Sequence, residues 1–322
     1  MNYQNMFDTA HHVAEKTGRS YITVLCDIIS CGLKYQAGYN DYLEFEFYLL
    51  NKEERKTYLT RGINNTIIKK YNRKDFYYKF DDKIVFNKLF NSYLKREWIY
   101  LREVKGDQFV EFLKGKKAII VKPIDGDGGM GIEKININSK TNGKKLYRQL
   151  RKSGQVLVEE FVRQHPDMNQ LYKNSVNTLR MFTFIQNGKV TFLNGILKIG
   201  NGGVVDNFSS GGMYTFVNQN GKVIAPAIDK QDLVYEVHPK TKTKIVGFQV
   251  PMFKEAVKMV KKAAKEVPEI GYVGWDVAIS ETGPIIIEGN CFPGVFQIRP
   301  SFSKKKEGIL PKYLKVMDLK VK

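Results

Sequence analysis

Apolar positions in the first 80 residues recur at helical intervals. Between Arg19 and Tyr35 they fall at Ile22, Leu25, Ile28, Ile29 and Leu33, spaced to line a helix face. Asn51 stands before Lys52-Glu53-Glu54 and reads as an N-cap, with Glu54 placed to close a capping box. Asp82 to Tyr93 continues the helical pattern. From Trp98 the pattern changes to short apolar runs bounded by turn formers. These predict strands at 98–102, 117–123, 132–137 and 155–161, with helices at 107–114 and 143–152 between them. Beyond Pro166, strands are expected at 178–186, 190–199 and 212–217. A helix from Pro251 to Val267 follows, with the proline in its first turn. A hairpin of strands at 276–280 and 285–288 comes next, and the tail from Leu310 is expected to be helical. Helices followed by mixed strands and helices make the fold class α+β. No internal repeat or low-complexity linker interrupts the chain.

Composition narrows the picture. A chain of 322 residues exceeds a typical single core and predicts two or three subdomains. Its 43% hydrophobic and 26% charged content is ordinary for a soluble globular protein. No run approaches the roughly 20 apolar residues of a membrane span. The start, Met1 to Asp8, lacks the basic flank and apolar core of a signal peptide. Cys26, Cys31 and Cys291 make an odd number without metal or disulfide spacing, which fits a reducing, cytoplasmic location. The net charge of +19, from 52 Lys and Arg against 33 Asp and Glu, favours anionic partners. The cations are spread widely and no nucleic-acid motif accompanies them, so most of this charge reads as a solvated basic surface.

Candidate chemistry begins after the strand Ala118 to Val121. Lys122-Pro123 closes that strand, and Asp125-Gly-Asp-Gly-Gly-Met-Gly131 follows. Gly126, Gly128 and Gly129 can let backbone N–H groups close around phosphate oxygens. The segment has neither the Gly-Lys-Ser/Thr of a P-loop nor the strand-to-helix setting of a dinucleotide fingerprint. It reads as a hairpin over phosphates or as a plain turn. Lys122 is presented beside it as a point charge for phosphate. Lys83 opens a helix after Asp81-Asp82, where spacing alone favours an exposed lysine. The strand Gln155 to Val162 ends in Glu159 and Glu160. It reads as an interlobe hinge that meets adenine or ribose, or as a strand edge with solvated glutamates. Arg180 and Lys198 lie inside apolar strands, where a charge needs a partner. Facing one cleft, they could neutralise a transferring phosphoryl group. Asp206 to Gly212 reads as a phosphate- or substrate-binding loop or as a simple turn.

The strongest set is Asp276, Glu288 and Asn290. If the last two strands pair, Asp276 lies opposite Glu288, and Asn290 points the same way by alternation. Two acids and an amide oxygen suit Mg²⁺. Two facing acids also repel, so a cation is a natural compensation. The alternative is that Arg299 or Lys198 satisfies them. His11, His12, His165 and His238 lack metal-ligand spacing, and no Ser or Cys has a nucleophile-elbow context.

The order Lys83, Lys122, the glycine segment, Glu159-Glu160-Phe161-Val162, Arg180, Lys198, Asn207, Asp276, Glu288-Gly289-Asn290 resembles the ATP-grasp superfamily. Within it, Tyr39 to Leu50, Asn51 to Arg55 and Lys95-Arg96-Glu97-Trp98 look like the sugar-transfer-associated group of bacterial surface-polysaccharide loci. The resemblance covers residues 38 to 300. It implies an ATP-grasp fold in which two α+β lobes clamp ATP. The chain would then divide into a helical region at 1–80, a small lobe with a glycine-rich lid at 81–163 and a C-terminal lobe at 164–322. It implies that Lys83 and Lys122 bind phosphates, that Gly126, Gly128 and Gly129 belong to the lid, and that Glu159, Glu160 and Val162 form the adenine and ribose hinge. It further implies that Asp276, Glu288 and Asn290 hold Mg²⁺, that Arg180 and Lys198 stabilise the γ-phosphoryl group, and that Asn207 orients phosphate or acceptor. Two features depart from many relatives: the helical N-terminal region in place of a Rossmann-like domain, and Lys198 where an arginine is common.

The implied activity is a Mg-ATP-dependent ligase that joins a small-molecule carboxylate to an amine through an acyl-phosphate, in cell-surface polysaccharide synthesis. The implied partners are a nucleotide-linked or lipid-linked sugar and peripheral contact with an anionic membrane at its inner face. Nucleic acid is not expected. The alternatives are a kinase of the same fold acting on a sugar or hydroxyl, and an inactive anion- or nucleic-acid-binding protein.

Overall fold

The computed structural model describes residues 3–124, 131–202, 211–303 and 305–319. Its N-terminal part is helical: α1 (Tyr3–Thr17), α2 (Tyr21–Tyr35), α3 (Tyr39–Glu44), α4 (Lys52–Arg55), α5 (Arg61–Tyr71) and α6 (Tyr78–Asp81). Local side chains set the helix starts. Ser20 caps α2, Thr60 caps α5, and Asn51 with Glu54 forms the expected capping box on α4. Of the five residues in the apolar stripe expected on α2, only Ile28 is buried and Leu25 half-buried. Val24, Ile28 and Cys31 are buried, while Ile22, Ile29 and Leu33 face solvent. A helix that is apolar on most sides carries no sequence signal for which face packs.

A small four-stranded sheet follows. After α7 (Lys83–Leu89) and α8 (Asn91–Leu94) come β1 (Trp98–Tyr100), α9 (Gly106–Leu113), β2 (Ala118–Lys122), β3 (Glu133–Asn136), α10 (Gly143–Ser153) and β4 (Leu157–Glu160). The strands lie in the order β1-β4-β2-β3, paired antiparallel. Phe109, Leu113 and Leu150 from the two helices pack on Ile119, Val121 and Val158 to give this sheet its own core.

The rest of the chain builds a seven-stranded sheet. Its elements are α11 (Pro166–Leu171), β5 (Thr178–Gln186), β6 (Lys189–Ile199), β7 (Met213–Val217), β8 (Ala227–Asp229), β9 (Val234–Tyr235), α12 (Phe253–Ala263), β10 (Tyr272–Ser280), β11 (Gly283–Asn290), α13 (Pro300–Ser303) and α14 (Leu310–Leu314). The order is β11-β10-β5-β6-β7-β8-β9, antiparallel throughout. One face carries Leu179, Met181, Trp275 and Val277 against α12 and the Phe80, Phe86 and Phe90 cluster. The opposite face carries Phe182, Phe184, Leu193 and Tyr272, and the N-terminal helices and Tyr313 of α14 cover it. The helical region therefore shares a core with the sheet.

Two sequence expectations need correction. The helix expected from Pro251 begins at Phe253, and Met252 stands before it with a positive φ of 51°. Pro251 thus precedes the helix instead of occupying its first turn. The final hairpin is longer than expected, because β10 starts at Tyr272 and β11 runs to Asn290. Gly274 interrupts the apolar pattern there without breaking the strand, and Gly271 immediately precedes it. Among the described residues no helix is long and apolar enough to cross a membrane, and Cys26, Cys31 and Cys291 form no disulfide.

Candidate functional site

Strand alternation places Arg180, Lys198, Asp276, Glu288 and Asn290 on one face of adjacent strands. The register sets Asp276 opposite both Arg180 on β5 and Glu288 on β11. A bulge follows immediately: Asp276 pairs with Glu288 but Val277 pairs with Ile286. Bulges of this kind re-aim side chains. Gly274, also on this face, leaves room for the arginine. A methyl group there would lie 3.1 Å from Arg180 Cδ and 3.0 Å from Pro293 Cβ.

Asp276 is buried and already compensated by protein cations. Arg180 donates from Nε to Oδ1 at 2.5 Å and from Nη2 to Oδ2 at 2.9 Å, and Lys198 Nζ donates to Oδ2 at 2.9 Å. Arg180 and Lys198, expected to face one cleft, lie together and are both drawn onto the Asp276 carboxylate. Of the two alternative partners, Lys198 is the one engaged, while Arg299 pairs with Asp232. Burial alone would raise the Asp276 carboxyl. The Arg180 guanidinium and Lys198 ammonium outweigh it and hold the group well below the ordinary carboxylate range. Glu288 behaves oppositely. Its side chain is 54% open to water and 4.0 Å from Arg180 Nη2. The protein atoms crowding its carboxyl, and then the Asp276 carboxylate, push it above its ordinary value.

The small sheet supplies a second polar cluster. Lys122 Nζ donates to Glu159 Oε2 at 2.6 Å. Arg96 donates to the same carboxylate from Nε at 3.2 Å and Nη2 at 3.1 Å, and Asn87 Nδ2 adds a bond at 3.2 Å. Burial would raise Glu159, but Arg96 and Lys122 hold it far below its ordinary value. The solvated-glutamate reading therefore fails for Glu159. Glu160 is the half-buried member of the pair, and its carboxylate accepts from Glu97 N at 3.3 Å. Val162 is half-buried in the connection that leaves β4. Lys83 is no free surface lysine: its Nζ donates to Ile124 O at 2.7 Å, where the glycine segment begins. Gly126, Gly128, Gly129 and Asn207 lie outside the described residues.

Arg96 and Asn87 escaped the sequence reading. Lys95-Arg96-Glu97-Trp98 entered only as part of the family resemblance, with no role for Arg96, yet Arg96 is 3% exposed at its side chain. It reaches beyond Glu159 to donate from Nη1 to Ile286 O at 2.6 Å and from Nη2 to Ile287 O at 3.3 Å. One guanidinium thus ties the small sheet to the bulge that precedes Glu288. The chain itself crosses between the sheets nearby, where His165 N donates to Ile279 O at 2.8 Å and Glu281 N to Arg163 O at 3.1 Å. His165 caps α11, and His238 is buried against Gly200 O.

The donor set fits a hard divalent cation. Asn290 Nδ2 is buried without a hydrogen-bond partner among the described residues, and turning the amide would offer its oxygen instead. Glu288 is accessible, and Asp276 Oδ1, which accepts one bond from Arg180, keeps capacity for another contact. Among the described residues no three His, Cys, Asp or Glu side chains cluster, so the set consists of two carboxylates and an amide.

The family described as sugar-transfer associated ATP-grasp matches residues 62–307. Among solved structures, the chain is similar to D-alanyl-alanine synthetase A from Vibrio cholerae, with 11% identity and a TM-score of 0.41 over 75% of this chain and 62% of that one. It is similar to the ATP-grasp ligase PsnB complexed with minimal precursor, with 13% identity and a TM-score of 0.40 over 77% and 65%. It is also similar to L-amino acid ligase from Bacillus licheniformis, with 15% identity and a TM-score of 0.38 over 66% and 40%. The chain spans less than two thirds of the length of each of these three. No curated protein matches it.

Proposed function

Because this chain belongs to the sugar-transfer associated ATP-grasp family, we propose that it is a Mg-ATP-dependent ligase that joins a carboxylate to an amine in cell-surface polysaccharide synthesis. The observation that carries the reading is the register of Asp276 opposite both Glu288 and Arg180, with Lys198 on the same carboxylate.

In this reading the lobes 81–163 and 164–322 close on ATP. Lys83 and Lys122 bind phosphate oxygens at the base of the lid, to which Gly126, Gly128 and Gly129 belong. Glu159 orients Lys122 through their 2.6 Å bond, while Glu160 and Val162 meet the adenine and ribose. Asp276, Glu288 and Asn290 hold Mg²⁺, which when bound supplies charge neutralisation for phosphate oxygens. Arg180 and Lys198 share their donors between Asp276 and the transferring phosphoryl group, where negative charge develops. Asn207 orients phosphate or acceptor. A substrate carboxylate oxygen attacks the γ-phosphorus as the bond to ADP breaks. The amine then attacks the acyl carbon and phosphate leaves. No protein nucleophile is required. Closure excludes water from the acyl-phosphate. The setting is cytoplasmic, with peripheral contact at an anionic inner membrane face.

ADP release tests this. Turnover is expected to need both a carboxylate and an amine, and Lys122→Ala is expected to abolish it while circular dichroism stays native. Undiminished turnover in Lys122→Ala contradicts the site. ADP formed without an amine, together with a stable phosphoester, marks a kinase instead.

A further inference from the structure

An open surface depression of about 420 Å³ lies beside the end of β11, lined by none of the residues of the Asp276 cluster. Lys69 and Lys70 of α5, Arg73, Lys74, Tyr77 and Phe292 line it. Three features of its lining set what it can hold.

The first is its attachment. Phe292 lies two residues beyond Asn290 in the chain. Asn72, in the cavity wall, is buried. Its Nδ2 donates to Cys291 O at 2.6 Å and Tyr272 O at 2.8 Å, and its Oδ1 accepts from Tyr272 N at 2.8 Å. Those bonds lock the wall to β10, which carries Asp276, and to the residue that follows β11. The second is charge. Lys69, Lys70, Arg73 and Lys74 fall within six positions. Lys70 is engaged by Asp318, whose carbonyl accepts from its Nζ and whose 82% exposed carboxylate lies 3.4 Å away, while the only acid on Arg73 among the described residues is Asp75, 3.8 Å away and 81% exposed. Among the described residues Lys69 and Lys74 have no ion pair. Like charges gathered this way oppose folding and favour an anion. The third is an exposed aromatic. Phe292 is 54% exposed, yet Tyr77 holds it edge-on, with centroids 4.6 Å apart and planes at 74°. A phenylalanine left this open contributes little to the core but offers a flat apolar face beside the cations.

We propose that this cavity binds a phosphorylated small molecule, with its phosphate on Lys69 and Lys74 and its ring on Phe292. Ammonium groups recognise phosphate as point charges, and an aromatic face accepts the apolar face of a sugar or nucleobase ring. The volume suits a small ligand. Calling that ligand the acceptor substrate rests on the ligase reading; the binding itself does not.

The test is calorimetric titration of inorganic phosphate, glucose 1-phosphate and uridine monophosphate into wild type, Lys74→Glu and Phe292→Ala. Each is run with and without a saturating non-hydrolysable ATP analogue and Mg²⁺. Lys74→Glu is expected to weaken all the phosphate ligands that bind by about tenfold or more, the loss of one charge-assisted contact. Phe292→Ala is expected to weaken only the ring-bearing ligands. Stronger binding of glucose 1-phosphate than of uridine monophosphate assigns the ring to a sugar, and the reverse order assigns it to a base. Equal affinities in wild type and Lys74→Glu overturn the proposal, as does the absence of binding by all three probes. Neither result touches the Mg²⁺-dependent part of the ATP-analogue titration, which is expected to be unchanged in both variants and which alone decides the nucleotide site.

Discussion

Two buried carboxylates organise this molecule, and each is made tolerable by two cations. Asp276 has Arg180 and Lys198, and Glu159 has Arg96 and Lys122. Their positions in apolar strands were legible, because a charge there needs a partner. The partners were not, since they lie 96 and 78 residues from Asp276 and 63 and 37 residues from Glu159. Only the assembled sheets bring them together. Breaking such a pair from one side leaves a buried charge underpaired. Arg96→Met is expected to cost about 3 kcal/mol at neutral pH. Because the Glu159 pKa is depressed in the folded state, its stabilisation is fully present above the ordinary value of 4.5 and is lost as pH falls below it. The gap between wild type and Arg96→Met is therefore expected to narrow in acid. Urea unfolding at neutral pH and again below 4.5 measures this, and an equal gap at both contradicts it.

At the level of elements, alternation was the most informative signal. Period-two spacing along the chain is enough to put Asp276, Glu288 and Asn290 on one side of a hairpin, and the register agrees. It did not disclose the bulge after Asp276, nor why a glycine separates Glu288 from Asn290. A methyl group on Gly289 would meet Phe80 Cδ1 and Phe86 Cε2 at 2.9 Å each. The strand thus lies directly on the aromatic cluster from α6 and α7, and that contact helps set where Glu288 and Asn290 point. Gly289→Ala is expected to destabilise by about 1–3 kcal/mol through overpacking and to weaken Mg²⁺ binding as β11 shifts. Thermal unfolding together with metal titration checks both effects. A stable variant with unchanged affinity contradicts the role given to this contact. Helical periodicity was less informative on α2, where apolar residues on several sides concealed the buried face.

At the scale of the whole molecule, two sheets are joined by a chain crossing near Gln164 and by Arg96. The guanidinium spans from Glu159 on one sheet to the Ile286 and Ile287 carbonyls on the other. The polar cluster around Lys122 and the one around Asp276 are thereby held in one frame, as two lobes sharing a nucleotide would require. Neither this strut nor the packing of the helical region on the large sheet was legible, because both depend on long-range placement. The proposed chemistry rests on Asp276, Glu288 and Asn290 holding Mg²⁺ beside a bound nucleotide. Calorimetric titration of a non-hydrolysable ATP analogue into wild type and Glu288→Gln, with and without Mg²⁺, puts this to the test. Mg-dependent binding is expected in wild type and is expected to weaken at least about tenfold in Glu288→Gln, on losing one charged ligand. No binding to folded wild type, or the same Mg-dependent affinity in both proteins, would contradict it.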